Sequence, residues 1–535
     1  HQTICLSLSQ PQHQTLNALL CKSTPPYYAI FILSILLLIH KTVKSQSIPV
    51  TPGSHASEWL NHQFKRDQQF HPSIKPFRLS ADSLYNTNLY SFEPYKFLEK
   101  DQKLKLLPLL ETGYWQSLND QKNLVHLNLG AEAFYTPHPK LTLHARITER
   151  YTRLPAFQAG FADSTGFIPR FGKYRNTFKD GYHFTDFQGS VHWKLNHLFS
   201  LEAGNERQFL GEGHRSLLYS DNAKPFPYVR ASVRFWNLQY FHQVGFLRDI
   251  NNATGSFKLE RKNLVMHYLS WNISETFNLS LFEAIVWRNA DSTYHRGVDP
   301  NYFNPVILLR PVEYAQGTGD NALIGIGSSW LPAPSMKIYG QLMIDEFSLL
   351  KSNKRLDWVG NKFGLQLGIK TSDLFGITNL NAQAEFNQVR PFTYSHRTSL
   401  QNYGNQFEPL AHPLGSNFRE VLIKTDYWRK NWYLQAKVIR AWKGENPYNE
   451  NLGGDPYNIN KTPTTAFGHV MLQGIKTNLT YLDLRAGYTI LPEWGLAIEG
   501  RLLARSYSNK NGNDRHIYFQ LGLNSTLHEV ERFFY

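Results

Sequence analysis

The sequence predicts an all-β fold, a transmembrane antiparallel β-barrel of about 18 strands with a short N-terminal helical or irregular segment. Aromatic residues make up 14% of the chain, yet the mean hydropathy is only −0.42, which is too polar for a bundle of membrane helices. Apolar and polar residues alternate in many short segments after residue 103. Short and long connections between these segments also alternate, as an up-and-down barrel requires.

The N-terminus is predicted to be a secretory signal peptide with an upstream non-mature segment, over residues 1–45. The apolar run at 27–39 is flanked by lysines and is shorter than the roughly 20 residues of a membrane helix. Small residues precede an expected cut between Ser45 and Gln46. A single N-terminal membrane anchor is the alternative.

Net charge and cysteine content limit which binding partners and which kinds of active or metal site are expected. The net charge of +14 falls to +11 for residues 46–535, because three lysines and no acid precede the expected cut (14 − 3). Without a basic run or a binding motif, this charge does not favour nucleic acid; acidic polysaccharide or lipopolysaccharide phosphates fit it better. Both cysteines, Cys5 and Cys21, lie before the cut, which excludes disulfides, thiolate metal sites and cysteine nucleophiles from the remainder.

Residues 46–103 are polar and irregular and include the proline-containing stretch FHPSIKPF at 70–77. Short helices are expected over 57–70 and 93–103. We expect this segment to be a periplasmic lead-in or plug, followed by the barrel over 104–535.

Several barrel segments show the two-residue period of strands with one apolar and one polar face. The apolar positions are Phe363, Leu365, Leu367 and Ile369 in one segment, Leu482, Leu484, Ala486, Tyr488 and Ile490 in a second, and Ile517, Phe519, Leu521 and Leu523 in a third. Arg485, Arg501 and Arg505 are predicted to face a polar lumen, because an arginine facing lipid at mid-depth costs about 2–4 kcal/mol.

The connections predict the two rims of the barrel. Short turns are expected at 137–140, 195–198, 237, 274–277, 332–335, 372–377, 429–432 and 491–494. Long connections are expected at 154–181, 211–227, 248–261, 290–319, 349–361, 395–418 and 446–474. This order puts tight turns and both termini in the periplasm and long loops outside.

The richest polar cluster is GEGHRSLLYSDN at 211–222, within the stretch 204–227. Arg215, Asp221 and Asn222 are its candidate ligand-binding residues. A hydrolase would use Ser216, His214 and Asp221, but no Gly-x-Ser-x-Gly elbow is present in this stretch. The favoured interpretation is a polar loop folded into the lumen with Arg215 paired to a carboxylate.

A second candidate loop at 301–322 mixes aromatic, amide and charged side chains, the residue types that bind sugars. Its candidate ligand-binding residues are Tyr302, Arg310, Glu313, Asp320 and Asn321. The favoured interpretation is nevertheless a loop packed into the barrel with Arg310 and Glu313 as an internal ion pair. Asp320 and Asn321 could help to hold Ca²⁺, but the spacing is not that of an EF-hand, so neither a metal nor a cofactor is expected.

These loops, together with VMHYLSWNISETFNLSLFEAI at 265–285 and FHPSIKPF, resemble the Wzi family of capsule-assembly proteins. The sequence is most similar to the Bacteroidetes branch, which includes gliding-motility outer-membrane proteins of the RemB type. The resemblance runs from Phe70 to the C-terminus and is strongest over 204–325. It implies an eighteen-stranded outer-membrane barrel with an N-terminal helical element at its periplasmic end, and a non-enzymatic, lectin-like role in holding surface polysaccharide.

Three functions follow as hypotheses for a Gram-negative outer-membrane protein that is not an enzyme. The first is a module that binds or retains acidic capsular or exopolysaccharide through its external loops. The second is a porin-like channel with a basic lumen, since about 18 strands can enclose water. The third is a gliding-motility or adhesion component. Expected partners are surface polysaccharide, outer-membrane lipid and lipopolysaccharide, and a motility or export apparatus, but not nucleic acid.

Overall fold

The computed structural model describes residues 48–52, 54–62, 70–79, 103–119, 123–251, 258–290, 296–305, 319–346, 357–458 and 465–525. The predicted signal segment at 1–45, nearly all of the predicted helix at 93–103, and the candidate residues Arg310 and Glu313 lie outside these ranges.

Eighteen strands form a closed antiparallel barrel, which confirms the predicted fold class and strand number. In chain order they are β1 (Leu104–Ser117), β2 (Leu124–His138), β3 (Leu141–Thr152), β4 (Gly181–Lys194), β5 (Phe199–Asn205), β6 (Tyr228–Phe235), β7 (Leu238–Asn251), β8 (Lys258–Asn272), β9 (Phe277–Arg288), β10 (Asn321–Ala333), β11 (Met336–Glu346), β12 (Lys362–Thr371), β13 (Leu380–Val389), β14 (Phe418–Arg429), β15 (Trp432–Glu445), β16 (Ile475–Leu491), β17 (Leu496–Asn509) and β18 (Gly512–Asn524).

Each strand pairs with its neighbour in sequence, and β18 closes the barrel against β1 from Tyr518↔Ser117 to Asn524↔Glu111. Closure leaves the wall without an unpaired edge. A short strand at Asn176–Phe178 pairs with the first three residues of β4, Gly181 to His183.

Alternation along the strands separates an apolar outer face from a polar inner face, as predicted. In β16 the side chain of Leu484 is exposed, whereas Asp483 and Arg485 are buried in the interior. Arg501 also faces inward, and both arginines donate to the Asp483 carboxylate at 2.6–3.3 Å. Arg505 is likewise buried and pairs with Asp514.

The two rims differ in the length of their connections. Short turns join each even-numbered strand from β2 to β16 to the strand that follows it, in agreement with the turns predicted from the sequence. The connections 153–180, 206–227, 289–320, 347–361, 390–417 and 446–474 join strands whose ends lie at the other rim. The prediction of a long connection at 248–261 is wrong, because β7 and β8 remain paired as far as Asn251↔Lys258.

The interior is occupied by two of the connections between wall strands. We call residues 206–227 the lumen loop. Its apolar residues form one buried core with the connection 390–417 and the inward side chains of the wall; this core includes Leu217, Leu218, Tyr219, Phe226, Tyr394, Tyr403, Leu410, Phe241, Leu264, Phe282 and Leu323.

The described residues include two short α-helices. The first, α1 (His55–His62), overlaps the start of the helix predicted at 57–70, and its Glu58 and His62 contact Lys424 and Asp426 of the inner wall. The second, α2 (Ala156–Thr165), lies in the connection after β3. Within the ranges given above, none of the helices combines the length and apolar character needed to traverse a bilayer.

Candidate functional site

The lumen loop joins the N-terminal segment through a small antiparallel sheet. Phe209 pairs with Lys75 and Leu210 pairs with Ile74. The Leu210 N–H donates to the Tyr219 carbonyl at 2.9 Å, so the loop folds back on itself directly after this sheet. Backbone pairing therefore fixes the start of the predicted polar cluster inside the barrel.

Two glycines let the loop backbone approach the wall. Gly211 has a φ of +138°, a conformation that L-residues rarely adopt, and a Cβ at this position would lie 2.2 Å from Gln341 Nε2. A Cβ on Gly213 would lie 2.4 Å from Glu385 Oε2. The wall carboxylate can consequently accept hydrogen bonds from the N–H groups of His214 and Arg215 at 2.8 and 3.1 Å.

Arg215 is buried and forms an ion pair inside the barrel. Its Nε donates to Glu420 Oε1 at 3.3 Å, and His412 Nε2 lies 2.9 Å from the same oxygen. This is the lumen-facing arrangement favoured from the sequence. Burial lowers the pKa of His412, although Glu420 opposes that shift.

Ser216 has a structural role. Its hydroxyl donates to the Leu210 carbonyl and accepts from the N–H groups of Leu218 and Tyr219 at 3.1 and 3.3 Å. The side chain is fully buried. The hydroxyl is thus committed to shaping the turn, and this geometry does not favour the nucleophile considered from sequence.

Asp221 and Asn222 tie the lumen loop to neighbouring connections. Arg170 and Arg207 donate to the Asp221 carbonyl at 3.2 and 2.7 Å, and Arg170 Nη2 lies 3.5 Å from the Asp221 carboxylate. Asn222 Nδ2 donates to the Pro409 carbonyl at 3.0 Å. Both predicted residues therefore link loops to one another.

Glu408 accepts hydrogen bonds from two connections. The N–H of Arg170 donates to its carboxylate at 2.6 Å and the N–H of Lys224 at 3.3 Å. Burial raises the pKa of Glu408 to about 7, against the opposing effect of Arg170 and Arg207. Sequence analysis missed this residue, since nothing local distinguishes it from a solvated glutamate.

A cavity of about 50 Å³ lies among α1, Lys75 and the lumen loop. Its charged and polar lining includes Glu58, Lys75, Arg170, His214, Arg215 and Asp221. Burial lowers the pKa of Lys75 to about 8, although Glu212 and Glu58 oppose the shift. A space of this size holds about three or four water molecules, so it does not admit a saccharide chain.

The second candidate loop forms a separate cluster around Asp320. The Tyr302 hydroxyl and Arg296 Nη1 both donate to Asp320 Oδ2 at 2.7 Å, and Arg296 also pairs with Asp299 at 2.7 Å. Burial raises the pKa of Tyr302, and the neighbouring Asp320 raises it further. We call residues 296–305 the outer flap.

The outer flap packs against the outer face of the wall. Tyr302 belongs to a buried apolar cluster with Val244, Val265, Ile285, Trp287 and Ala322. These wall residues alternate with Phe241, Leu264, Ala284 and Leu323 of the interior core, so their side chains point outward. The sequence-based interpretation of a loop packed into the barrel is therefore wrong for residues 301–305 and Asp320, which lie on the outer face.

The predicted ligand-binding residues consequently lie on two sides of the wall. Arg215, Asp221 and Asn222 are inside, as is Asn321, whose Nδ2 donates to the Gln401 carbonyl at 2.9 Å. Tyr302 and Asp320 are outside with the flap.

Exposed aromatic and basic side chains stand at the rim of long connections. Tyr448 is 98% exposed and Phe178 is 61% exposed, with Lys179 Nζ 5.4 Å from the Phe178 ring centroid. Arg175, in the same connection as Phe178, is also largely exposed and lies 3.5 Å from the Glu149 carboxylate. Sequence reasoning did not select these residues, although an aromatic residue in a polar connection was the available signal. Where side chains are described, no group of three His, Cys, Asp or Glu residues is arranged to hold a metal ion.

The comparison with solved structures supports the architecture. No family model and no curated protein matches the sequence. Wzi, an Escherichia coli outer-membrane protein involved in group 1 capsule assembly and a carbohydrate-binding β-barrel, aligns with a TM-score of 0.54 and 13% identity, covering 89% of this chain and 98% of Wzi. OprD of Pseudomonas aeruginosa (TM-score 0.39, 11% identity, 78% and 94% coverage) and OccAB4 of Acinetobacter baumannii (0.41, 11%, 79% and 97%) are more distant. The chain thus shares the fold of the Wzi barrel.

Proposed function

We propose that this chain is an outer-membrane barrel that binds surface polysaccharide without catalysis, as a lectin does. The observation that carries the proposal is the filled interior. The lumen loop and the connection 390–417 bury an apolar core and ion pairs inside the barrel, an arrangement suited to holding a ligand at the rim. Wzi, the fold relative described as carbohydrate-binding, supports the same class of ligand.

The residues on the outer surface of the wall are consistent with a location in the outer membrane. Many of the wall's exposed outward side chains are apolar, and large aromatic residues lie near the short-turn rim, including Trp236 at 72%, Trp432 at 56% and Trp494 at 48% exposure. Such aromatic residues mark the membrane interface of bacterial barrels. In the proposed orientation the short turns and both termini face the periplasm, and the long connections meet lipopolysaccharide and the medium.

The proposed binding surface is made of two parts of the long-connection rim. One part is Arg175, Phe178 and Lys179 before β4, and the other is Tyr448 after β15. Exposed aromatic rings can stack on sugar faces, and arginine can bind carboxylate or phosphate groups with two hydrogen bonds. The net charge of +11 for residues 46–535 (14 − 3) favours an acidic polymer.

The ligand-binding roles predicted for the loop residues are kept as part of the proposal, with a positioning function for the buried ones. Arg215, Asp221 and Asn222 hold the lumen loop, and Tyr302 and Asp320 hold the outer flap. Direct contact with a polymer would require these loops to move. Arg310 and Glu313 remain predictions from the sequence alone.

The test compares polysaccharide binding by matched charge variants of the purified protein. We expect Arg175→Gln/Lys179→Gln and Tyr448→Ala each to weaken binding of the cell's own surface polysaccharide about tenfold, the effect of roughly 1.4 kcal/mol. Arg429→Gln/Lys430→Gln removes the same charge from the opposite rim and should bind as the unaltered protein does. Equal binding by all variants would remove this surface from the proposal.

A deletion strain separates retention from the motility or adhesion alternative. Retention predicts polysaccharide released into the medium with its synthesis unchanged. Loss of surface spreading with cell-associated polysaccharide unaltered would instead support a motility or adhesion component of the type suggested by the resemblance to the gliding-motility branch.

A further inference from the structure

The outer face of β7–β9 carries polar side chains where a membrane barrel is expected to be apolar. Tyr240 and His242 of β7, His267 of β8 and Glu283 of β9 alternate with residues of the interior core, so they point away from the lumen. The register places His242 opposite His267, and His267 opposite Glu283. His267 and Glu283 are fully buried although they lie outside the barrel.

The outer flap contacts two of these side chains directly. His242 Nε2 donates to the Tyr302 carbonyl at 3.0 Å, and the Tyr240 hydroxyl donates to the Pro305 carbonyl and lies 2.8 Å from His267 Nδ1. Closer to the long-connection rim, Trp287 Nε1 donates to the Gly297 carbonyl at 3.0 Å. Side-chain hydrogen bonds and the apolar cluster around Tyr302 thus hold the flap on the wall.

The flap spans much of the height of the wall. It follows β9, which ends at Arg288 on the long-connection rim. At its other end Pro305 contacts Tyr240, close to Leu238, where β7 begins at the short-turn rim. Lipid cannot satisfy the polar backbone of an irregular segment, and such segments occur at membrane depth only when buried in protein or beside water.

We infer that the outer flap and the adjoining face of β7–β10 contact a second copy of this chain in the membrane. The inference rests on the outer-membrane location in the proposed function. Protein in place of lipid against the flap meets this requirement. The face is therefore an interface between barrels.

The surface chemistry of the flap favours an identical partner. Its exposed side chains are Val298, Pro300, Asn301, Phe303, Asn304 and Pro305, all uncharged. The charged residues Arg296 and Asp299 are paired with each other, and Arg296 also with Asp320. Amides both donate and accept hydrogen bonds, so a neutral amide and apolar surface can complement its own copy across a two-fold axis.

Site-specific crosslinking tests the interface, because residues 46–535 contain no cysteine. Phe303→Cys and Asn301→Cys place single thiols on the flap. Leu521→Cys is the control, since Leu521 of β18 is 59% exposed on the outer face of another part of the wall. Outer-membrane vesicles containing each variant are treated with a short bis-maleimide.

We expect a crosslinked homodimer from at least one flap variant and only monomer from Leu521→Cys. Native mass spectrometry of the unaltered protein should show an oligomer. Monomer throughout, equal crosslinking of the control, or a flap adduct with a different protein would overturn the inference. Polysaccharide takes no part in these measurements, whereas absence of the chain from the outer-membrane fraction would count against the proposed function instead.

Discussion

Glu408 is a buried carboxylate that accepts hydrogen bonds from N–H groups of two connections. Its titration makes the stability of the folded protein depend on pH. Its pKa of about 7 lies above the ordinary value of 4.5 because burial disfavours the charge. A raised folded-state pKa means that the folded protein binds more protons between these values. The contribution of this group to stability is therefore complete below pH 4.5 and is lost as the pH rises through 7.

We expect Glu408→Gln to remove this dependence. Between pH 5 and 8 the unaltered protein should lose stability relative to the variant, by roughly 3 kcal/mol at most. Thermal unfolding in detergent across this range measures the difference. Parallel curves for the two proteins would show that Glu408 does not titrate as described.

Arg215 provides a second test at the level of one side chain. Arg215→Met should destabilise the lumen loop by about 3–5 kcal/mol, because it leaves Glu420 buried without its arginine. Arg215→Met/Glu420→Gln should recover part of that loss. The readout is the rate of protease cleavage within 206–227, and a double variant as labile as the single one would argue against coupling of the pair.

At the level of strands and loops, the sequence predicted the wall better than the site. The two-residue period in β12, β16 and β18 identified the outward and inward positions, because one face meets an apolar and the other a polar environment. In β8 both faces are buried, since the flap covers one and the lumen loop and its neighbours cover the other. The alternation of apolar and polar residues in β8 therefore does not indicate whether a loop packs on the inner or the outer face of the wall.

The side taken by the second candidate loop was unpredictable for the same reason. Tyr302 and Asp320 are paired by a contact that only the folded wall brings together, and Asn321, the next residue, turns to the opposite face. Arg215 could be assigned to the lumen because a buried arginine needs a carboxylate. The identity of that carboxylate, Glu420, is a long-range property of the fold.

The packing of the lumen loop on β10 can be tested at Gly325. A Cβ there would lie 2.3 Å from Leu218 Cδ2, so Gly325→Val should displace the loop and cost about 1–3 kcal/mol. Gly500→Val is the control, because the nearest atom to its Cβ, the Ala486 carbonyl oxygen, is 4.0 Å away. We expect faster proteolysis of the loop only in the Gly325 variant, and similar rates in both would mean that Leu218 repacks freely.

For the whole molecule, the filled interior predicts a closed barrel. We expect no steady current from the purified protein in a planar bilayer. Replacing residues 211–223 by a flexible linker should open a conducting path, since about 18 strands enclose a wide lumen. The same replacement at 298–304 alters the outer flap only and should leave the membrane closed. Steady current through the unaltered protein would support the porin-like alternative.

The small sheet between Ile74–Lys75 and Phe209–Leu210 has a consequence for assembly. One strand precedes the first wall strand in the sequence, the other follows the fifth, and both end up enclosed by a wall whose last seam joins β18 to β1. Once that seam is made, the two strands can meet only if their segments enter the lumen through its open ends. We therefore expect the small sheet to form before β18 pairs with β1. The remaining wall strands would then assemble around the segments that fill the lumen.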